Sequence, residues 1–461
     1  MSQKAIAGKI LRLRKFFESG DTKNVSFRKK QLRLLRKAIR KNEDAIMDAL
    51  ARDLKKPLFE SYASEIGILY TEIRHVLWHL RSWSRKRAVK TPIIHFYSTS
   101  AVRQEPYGVV LIIGPWNYPF QLIIAPLIAA IAAGNCAVIK PSELAPATSR
   151  LVAKIIRETF GDNYITVIEG GIEETGALLK EKFDYIFFTG GTAVGRIIMR
   201  AAAEQLTPLT LELGGKSPAI VDEDAHLPTA ARRLCWGKFF NAGQTCLAPD
   251  YLLVHKTVKA AFVAELKKTI VEFYGDDPRS SKDYARIVNE KHFDRITGLL
   301  DGVKVIHGGE SDRKNRFIAP TLVDGVTLKD PIMREEIFGP LLPIMSFGKL
   351  DDAIAIVNRL PRPLALYYFS KSVKKQEKVL GETSSGGGCI NDTVSHVGSQ
   401  ELPFGGIGDS GMGRYHGKSG FDTFSHQRGI LTRDILVDMK LRYPPYNKKV
   451  RLLKFLFRLI G

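Results

Sequence analysis

From residue 106 onward, short apolar runs alternate with stretches that read as helices, and this alternation leaves the chain few architectures. Val109-Val110-Leu111-Ile112-Ile113, Cys136-Ala137-Val138-Ile139, Ile165-Thr166-Val167-Ile168 and Tyr185-Ile186-Phe187-Phe188 are predicted strands. Phe120 to Ala133, Ala147 to Glu158 and Arg196 to Gln205 are predicted helices between and after them. Apolar strands separated by helices imply a parallel sheet covered on both faces, because each strand must bury both of its sides. A second α/β unit, patterned less cleanly, is expected from near Glu212. Ahead of residue 106, apolar residues recur every three or four positions through Leu32, Leu35, Ile39 and Ile46, which predicts helices over 5–83. Residues 84–105 break that period and read as an extended arm.

The chemistry-bearing segment is Phe239-Phe240-Asn241-Ala242-Gly243-Gln244-Thr245-Cys246. Glycine and small polar residues let backbone and substrate approach a thiol closely and offer amide N–H groups to a developing oxyanion. Taken by itself, the segment also suits a buried packing cysteine. The other cysteines, Cys136, Cys235 and Cys389, lie in predicted strands or at helical spacing and read as core. The four show neither disulfide nor metal-ligand spacing, as in a reducing compartment. Since no His/Cys/Asp cluster has such spacing, no metal is expected.

Phe188-Thr189-Gly190-Gly191-Thr192-Ala193-Val194-Gly195 links a predicted strand to a helix, a junction whose free N–H groups suit a pyrophosphate. It lacks the three glycines of the usual dinucleotide fingerprint, so alone it is a weak signal. Lys140-Pro141-Ser142-Glu143 follows a strand at the sheet edge where such folds bind ligands, and equally suits a solvated turn.

Four motifs in order carry a resemblance: Pro115-Trp116-Asn117, Leu211-Glu212-Leu213-Gly214-Gly215-Lys216-Ser217-Pro218, the Cys246 segment, and Glu335-Glu336-Ile337-Phe338-Gly339-Pro340. Together they resemble the aldehyde dehydrogenase superfamily from about residue 5 to about residue 446. Pro403-Phe404-Gly405-Gly406-Ile407-Gly408, Ser410-Gly411-Met412-Gly413-Arg414-Tyr415-His416-Gly417 and Arg442-Tyr443-Pro444-Pro445 resemble the class 3 branch, which includes fatty aldehyde dehydrogenases. So does a start close to the first helix, without the N-terminal strands of longer classes.

The resemblance implies a Rossmann-type parallel-sheet NAD-binding domain over 1–83 and 106–211, and an α/β catalytic domain over 212–410. It further implies a β arm for bridging and oligomerisation over 84–105 and 411–435, and leaves a basic amphipathic tail over 436–461. It implies oxidation of an aldehyde, medium- or long-chain aliphatic or aromatic, to an acid. Cys246 would be the nucleophile, Asn117 with the Cys246 N–H the oxyanion donors, and Glu212 the base that activates water against the thioester. Gly190, Thr192 and Gly195 would lie by the cofactor, and Lys140 and Glu143 by the adenosine ribose. Glu336 would hold the nicotinamide ribose and Phe338 pack near the nicotinamide. Phe404 and His396 are expected near the aldehyde. A carboxylate at Glu143 favours NAD over NADP, though class 3 members accept both. The rivals are a CoA-acylating enzyme, which commonly lacks the Glu212 equivalent, and a non-catalytic membrane-surface binding protein of the same fold.

Charge is uneven. Lys and Arg number 69 against 48 Asp and Glu, a net charge of +21. Residues 1–41 carry fourteen basic and two acidic side chains, and 440–461 seven basic and none acidic. No zinc-finger or RNP-type motif accompanies the excess, so nucleic acid is not the expected partner. The opening residues lack the apolar core of a secretory signal. The apolar run Leu122 to Ile139 is interrupted by Pro126, Gly134 and Asn135 and reads as core rather than as a membrane span. A cytoplasmic homodimer is expected, completed through the arm and a late strand near Phe424 to Leu431. The tail over 447–461 is expected to form a helix with Arg451, Lys454 and Arg458 on one narrow face. That helix would lie on a membrane surface, over a substrate funnel, or against the protein itself.

Overall fold

The computed structural model describes residues 1–95, 97–447 and 449–460. Two large parallel sheets dominate it. The first runs in the order Gly411–Met412, Leu209–Glu212, Tyr185–Thr189, Val109–Ile113, Cys136–Lys140, Ile165–Val167. All pairings are parallel except that of the short Gly411–Met412 edge. Val109–Ile113, Cys136–Lys140 and Tyr185–Thr189 are buried at every residue, so their unbroken apolar runs have the burial that the sequence pattern requires. The chain winds outward from Val109–Ile113 to Ile165–Val167, then returns to its other side as Tyr185–Thr189. The strand order therefore reverses between Val109–Ile113 and Tyr185–Thr189, and the loops after these two strands open a crevice. Asn117 lies on one of those loops and Gly190 on the other.

The second sheet runs Lys304–His307, Thr321–Asp324, Leu341–Phe347, Tyr251–His255, Pro218–Val221, Ala365–Phe369, Gly387–Ile390, and is parallel apart from its first strand. Glu212 ends the last central strand of the first sheet, six residues before Pro218 opens the second. It thus sits at the seam between the two.

Helices Gln3–Glu18, Val25–Lys41, Glu43–Leu54 and Ile68–Trp83 form the expected N-terminal bundle. Helix Gln121–Ala133 is buried at all thirteen residues, as a helix apolar on every side must be. Gly134 ends it at φ 98°, with Thr22 O only 2.8 Å from where a β-carbon would stand. Helix Thr192–Glu204 starts four residues earlier than the apolar period indicates. The strand stops at Thr189, and the Gly190-Gly191 turn allows the helix to begin at once.

Residues 84–105 hold the strand Arg87–Val89, a 3-10 turn at Ile93–His95 and most of the strand Ser98–Pro106. Arg87–Val89 and Ser98–Pro106 form an antiparallel three-stranded sheet with Ser425–Arg433, which pairs along its full length with Ser98–Pro106. The sheet leaves two outer edges without a partner among the described residues, that of Arg87–Val89 in the arm and that of Ser425–Arg433. Cys136 and Cys389 lie in strands, and Cys235 in a helix with its thiol buried.

Helix Lys449–Ile460 carries Val450, Leu452, Leu453, Phe455 and Phe457 exposed. Lys448 and Gly461 of the predicted tail lie outside the described residues. Among the described residues no helix is long and apolar enough to cross a membrane.

Candidate active site

A polar cleft of about 670 Å³ lies at the strand-order reversal of the first sheet. Its lining includes Asn117, Gly190, Thr192, Glu212, Cys246, Glu336 and Phe338, brought together from five separate segments. A second cavity, of about 430 Å³, is lined almost wholly by apolar and aromatic groups, among them Phe59, Tyr118, Trp236, Phe240 and Phe404. Cys246 and Leu122 belong to both linings. The thiol therefore stands where a polar chamber meets an apolar one.

The loop presenting Cys246 is strained. Asn241 and Ala242 have φ of 53° and 51°, and Gly243 follows at 74°. Left-handed non-glycine residues cost on the order of 1–3 kcal/mol each unless their surroundings impose the geometry. Here side-chain amides impose it. Gln244 Nε2 donates to Asn241 O and Arg286 O, both at 3.0 Å, and its Oε1 accepts from Val288 N at 2.9 Å. Asn241 Nδ2 donates to Asn117 O at 3.0 Å and Gln244 O at 3.2 Å. Gly243 has no freedom to be another residue, since a β-carbon would stand 2.3 Å from Gly339 O. The Asn-Ala-Gly-Gln run is thus needed to fix the turn, quite apart from its chemistry.

Asn117 is buried, and its Nδ2 donates to Gln244 O at 3.0 Å, placing the amide beside the Cys246 loop. Its position rests on residues that sequence reading missed. Lys56 Nζ donates to Asn117 O at 3.0 Å and pairs with Glu65, both side chains being fully buried. Glu65 Oε2 accepts from Phe120 N and Gln121 N, each at 3.0 Å, capping helix Gln121–Ala133. Glu60 accepts from Asn241 N at 3.0 Å, and burial pushes its carboxyl up to about 8. These groups lie on or beside the π-helical turn Tyr62–Gly67. Their spacing carries no motif; only the fold brings them under Asn117.

Glu212 is 1% exposed, and neither carboxylate oxygen has a protein partner other than the facing Cys246 thiol. Burial pushes its carboxyl up to about 8. The same burial, with Glu212 and Glu336 nearby, pushes the Cys246 thiol up. Lys216 does not neutralise Glu212. It pairs with Asp250 and donates to Ile332 O at 3.0 Å and Glu335 O at 2.9 Å. Lys216 thereby clamps the segment carrying Glu336 and leaves Glu212 free toward Cys246. Glu336 reaches into the cleft because Gly214 has no side chain; a β-carbon there would lie 2.0 Å from Glu336 Oε2. Burial and Asp250 push the Glu336 carboxyl up to about 8. Glu335 is exposed at the border of the cleft. Phe338 stands edge-on to Trp116 at 5.3 Å.

Thr192 opens the Thr192–Glu204 helix, so its amide and that of Ala193 face the cleft without intrahelical partners. Arg196, Arg295, Arg334 and Arg362 add positive charge to the same lining. A dinucleotide pyrophosphate fits such a chamber, although none of these arginines lies within the Phe188 to Gly195 segment singled out for this role. Three predicted cofactor residues fall outside the lining. Gly195 packs against Leu213, whose Cδ2 would stand 2.8 Å from an added β-carbon. Lys140 Nζ donates to Pro141 O at 2.8 Å and lies 3.6 Å from Glu143, further along the same sheet edge.

Phe404 lines the apolar cavity and stacks on His416 at 5.2 Å. His396 does not line it, though Val394, Ser395, Val397 and Gly398 do. Its ring turns back toward the second sheet, with Nδ1 3.3 Å from Cys389 Sγ. A direct aldehyde contact by His396 is therefore corrected to a place in the wall behind the loop.

The model of the aldehyde dehydrogenase family matches residues 10–430. The 4,4'-diaponeurosporen-aldehyde dehydrogenase of Staphylococcus aureus is 51% identical over 96% of this chain and 97% of its own. Aldehyde dehydrogenase family 3 member B1 of Rattus norvegicus is 48% identical over 96% of this chain and 95% of its own. The dimeric NADP-preferring aldehyde dehydrogenase of the same species is 46% identical over 97% and 99%. Among solved structures, the substrate-bound state of Staphylococcus aureus AldH superposes with a TM-score of 0.95 at 50% identity, covering 98% of this chain and 99% of that one.

Proposed function

Because this chain belongs to the aldehyde dehydrogenase family, with class 3 relatives, and is an NAD(P)-dependent oxidoreductase acting on aldehydes, we propose that Cys246, Glu212 and Asn117 carry the reaction on an apolar aldehyde. The observation that carries this reading is the position of Cys246, common to the polar and the apolar chamber. An aldehyde enters with its chain in the apolar cavity and its carbonyl at the thiol. Cys246 Sγ attacks the carbonyl carbon, and the thiol proton passes to the neighbouring Glu212 carboxylate. Asn117 Nδ2 and the Cys246 N–H receive the oxyanion of the thiohemiacetal. NAD(P), when bound, would accept the hydride whose loss turns the thiohemiacetal into a thioester; Glu336 and Phe338 would hold its nicotinamide end, and Gly190, Thr192 and the cleft arginines its pyrophosphate. Lys140 and Glu143 extend the same edge toward the adenosine ribose. Glu212 gives the thiol proton up to solvent through the open cleft, and the restored carboxylate takes a proton from water as it attacks the thioester, releasing the acid and the Cys246 thiolate.

An intact Glu212, unpaired and facing the thiol, supports hydrolysis over transfer to CoA. NADH formation and acid release that are unchanged by added CoA are the expected result; acyl-CoA as the product would overturn the reading.

The apolar cavity has small residues, Ala63, Ser64 and Gly67, along one wall. This supports a long or bulky aldehyde, as does the name of the Staphylococcus aureus relative. Ala63→Leu fills that wall, and kcat/KM for hexadecanal is expected to fall by about 10-fold or more relative to propanal. Equal losses for both aldehydes would remove the cavity as the chain-binding site.

The open edge of Ser425–Arg433 supports a homodimer, as does the name of the rat relative, a dimeric aldehyde dehydrogenase. Light scattering at twice 51.5 kDa is expected, and a tetramer at low concentration would contradict it. The exposed apolar residues of Lys449–Ile460 support contact with a membrane surface. Deleting 447–461 is expected to abolish binding to anionic liposomes and to lower hexadecanal kcat/KM relative to hexanal. If neither changes, the tail has no such role.

A further inference from the structure

We propose that His75, His79 and Glu401 form a binding site for a first-row divalent cation, Zn²⁺ by its donor set, that staples the 395–401 loop to helix Ile68–Trp83. The three ligand atoms lie within 4.8 Å of one another. His75 and His79 are four residues apart, so both rings project from one face of the helix, with centroids 4.6 Å apart. The Nε2 side of His75 is buried and shut in beside Gly417, while its Nδ1 faces Glu401 Oε1 at 3.7 Å. Stacking on Trp83 at 5.6 Å holds the His79 ring in orientation. Two imidazoles and a carboxylate are a zinc ligand set that leaves a further position for water. Drawing ligand atoms together to the spacing that a common ion at about 2.0–2.1 Å requires needs rotation of Glu401, whose side chain is 80% exposed and able to move.

The position gives the site a consequence. Ile68 and Thr71 of the same helix line the apolar cavity, as do Ser395, Val397 and Gly398 of the loop. Gln400 Nε2 already donates to Thr71 Oγ1 at 3.0 Å, so loop and helix dock without the ion. A cation one residue further on fixes the two walls of the cavity against each other. The linear sequence conceals this because the third ligand lies far along the chain from the helical pair.

The Cys246 thiol is itself a zinc ligand, so the test is made on Cys246→Ser protein, stripped with chelator and titrated with ZnCl₂ by calorimetry. One equivalent is expected to bind. His79→Gln and Glu401→Gln, each added to that background, are expected to weaken binding by about 10-fold or more. Glu401 is exposed, so its variant tests the site even if His79→Gln disturbs the helix. Cobalt substitution is expected to give a spectrum without thiolate charge-transfer bands. Absence of saturable binding in Cys246→Ser, or affinity unchanged in Glu401→Gln, would overturn the site. Because the assay needs no turnover, its failure leaves the catalytic reading untouched.

Discussion

Cys246→Ala is expected to lower NADH formation from any aldehyde by on the order of 10⁴-fold or more, since no other group can form the covalent intermediate. The remaining cysteines are poorly placed to substitute. Cys235 and Cys136 are buried, and burial pushes their thiols up, Cys136 to about 12. Cys389 is partly accessible but lies outside both chambers, against His396. The variant is expected to bind NAD as the parent does, because the cofactor lining otherwise stays intact. Retained turnover with normal NAD binding would show that the thiol is not the nucleophile.

Glu212→Gln separates the two halves of the reaction. The amide cannot take a proton from water, so deacylation is expected to slow by about 10²–10⁴-fold. Hydride transfer precedes that step. A rapid burst of NADH close to one equivalent of enzyme, then a slow steady state, is therefore the signature, and a normal steady state would remove Glu212 as the base. The pH profile supplies a second reading. With its carboxyl raised by burial to about 8, Glu212 is protonated below that value and ionised above it. Steady-state turnover limited by deacylation is thus expected to rise with pH up to about 8 in the parent. The Gln variant is expected to lose that limb.

The parallel α/β architecture was legible because its strands bury both faces and are therefore written as unbroken apolar runs, as in Val109–Ile113 and Tyr185–Thr189. The arm was legible because β-branched residues interrupt a helical period. What local pattern misjudged was the start of Thr192–Glu204, where a glycine turn and not the apolar period sets the first residue. It also did not show that Ser98–Pro106 is flanked on both sides, which puts the open edges on Arg87–Val89 and Ser425–Arg433, a fact of long-range pairing.

The site divides in the same way. Asn117, Glu212, Cys246, Glu336 and Phe338 lie in local motifs, since each needs particular neighbours to turn the backbone, as Gly243 does, or to make room, as Gly214 does for Glu336. Those needs are met within a few residues and so are written in the sequence. Lys56, Glu60 and Glu65, which hold Asn117 and the Cys246 loop, have no motif. Nor have the cleft arginines, or the apolar wall from Phe59 to Phe404. Their identity depends only on what they meet after folding, and residues far apart in the chain meet there. His396 shows the converse: a residue in the right segment whose ring the tertiary packing turns away. Sequence by itself determined the fold class and the groups here proposed to do the chemistry. The tertiary structure alone decided which buried charges position them and what shape of aldehyde they face, because burial and contact are properties of packed surfaces and not of local order.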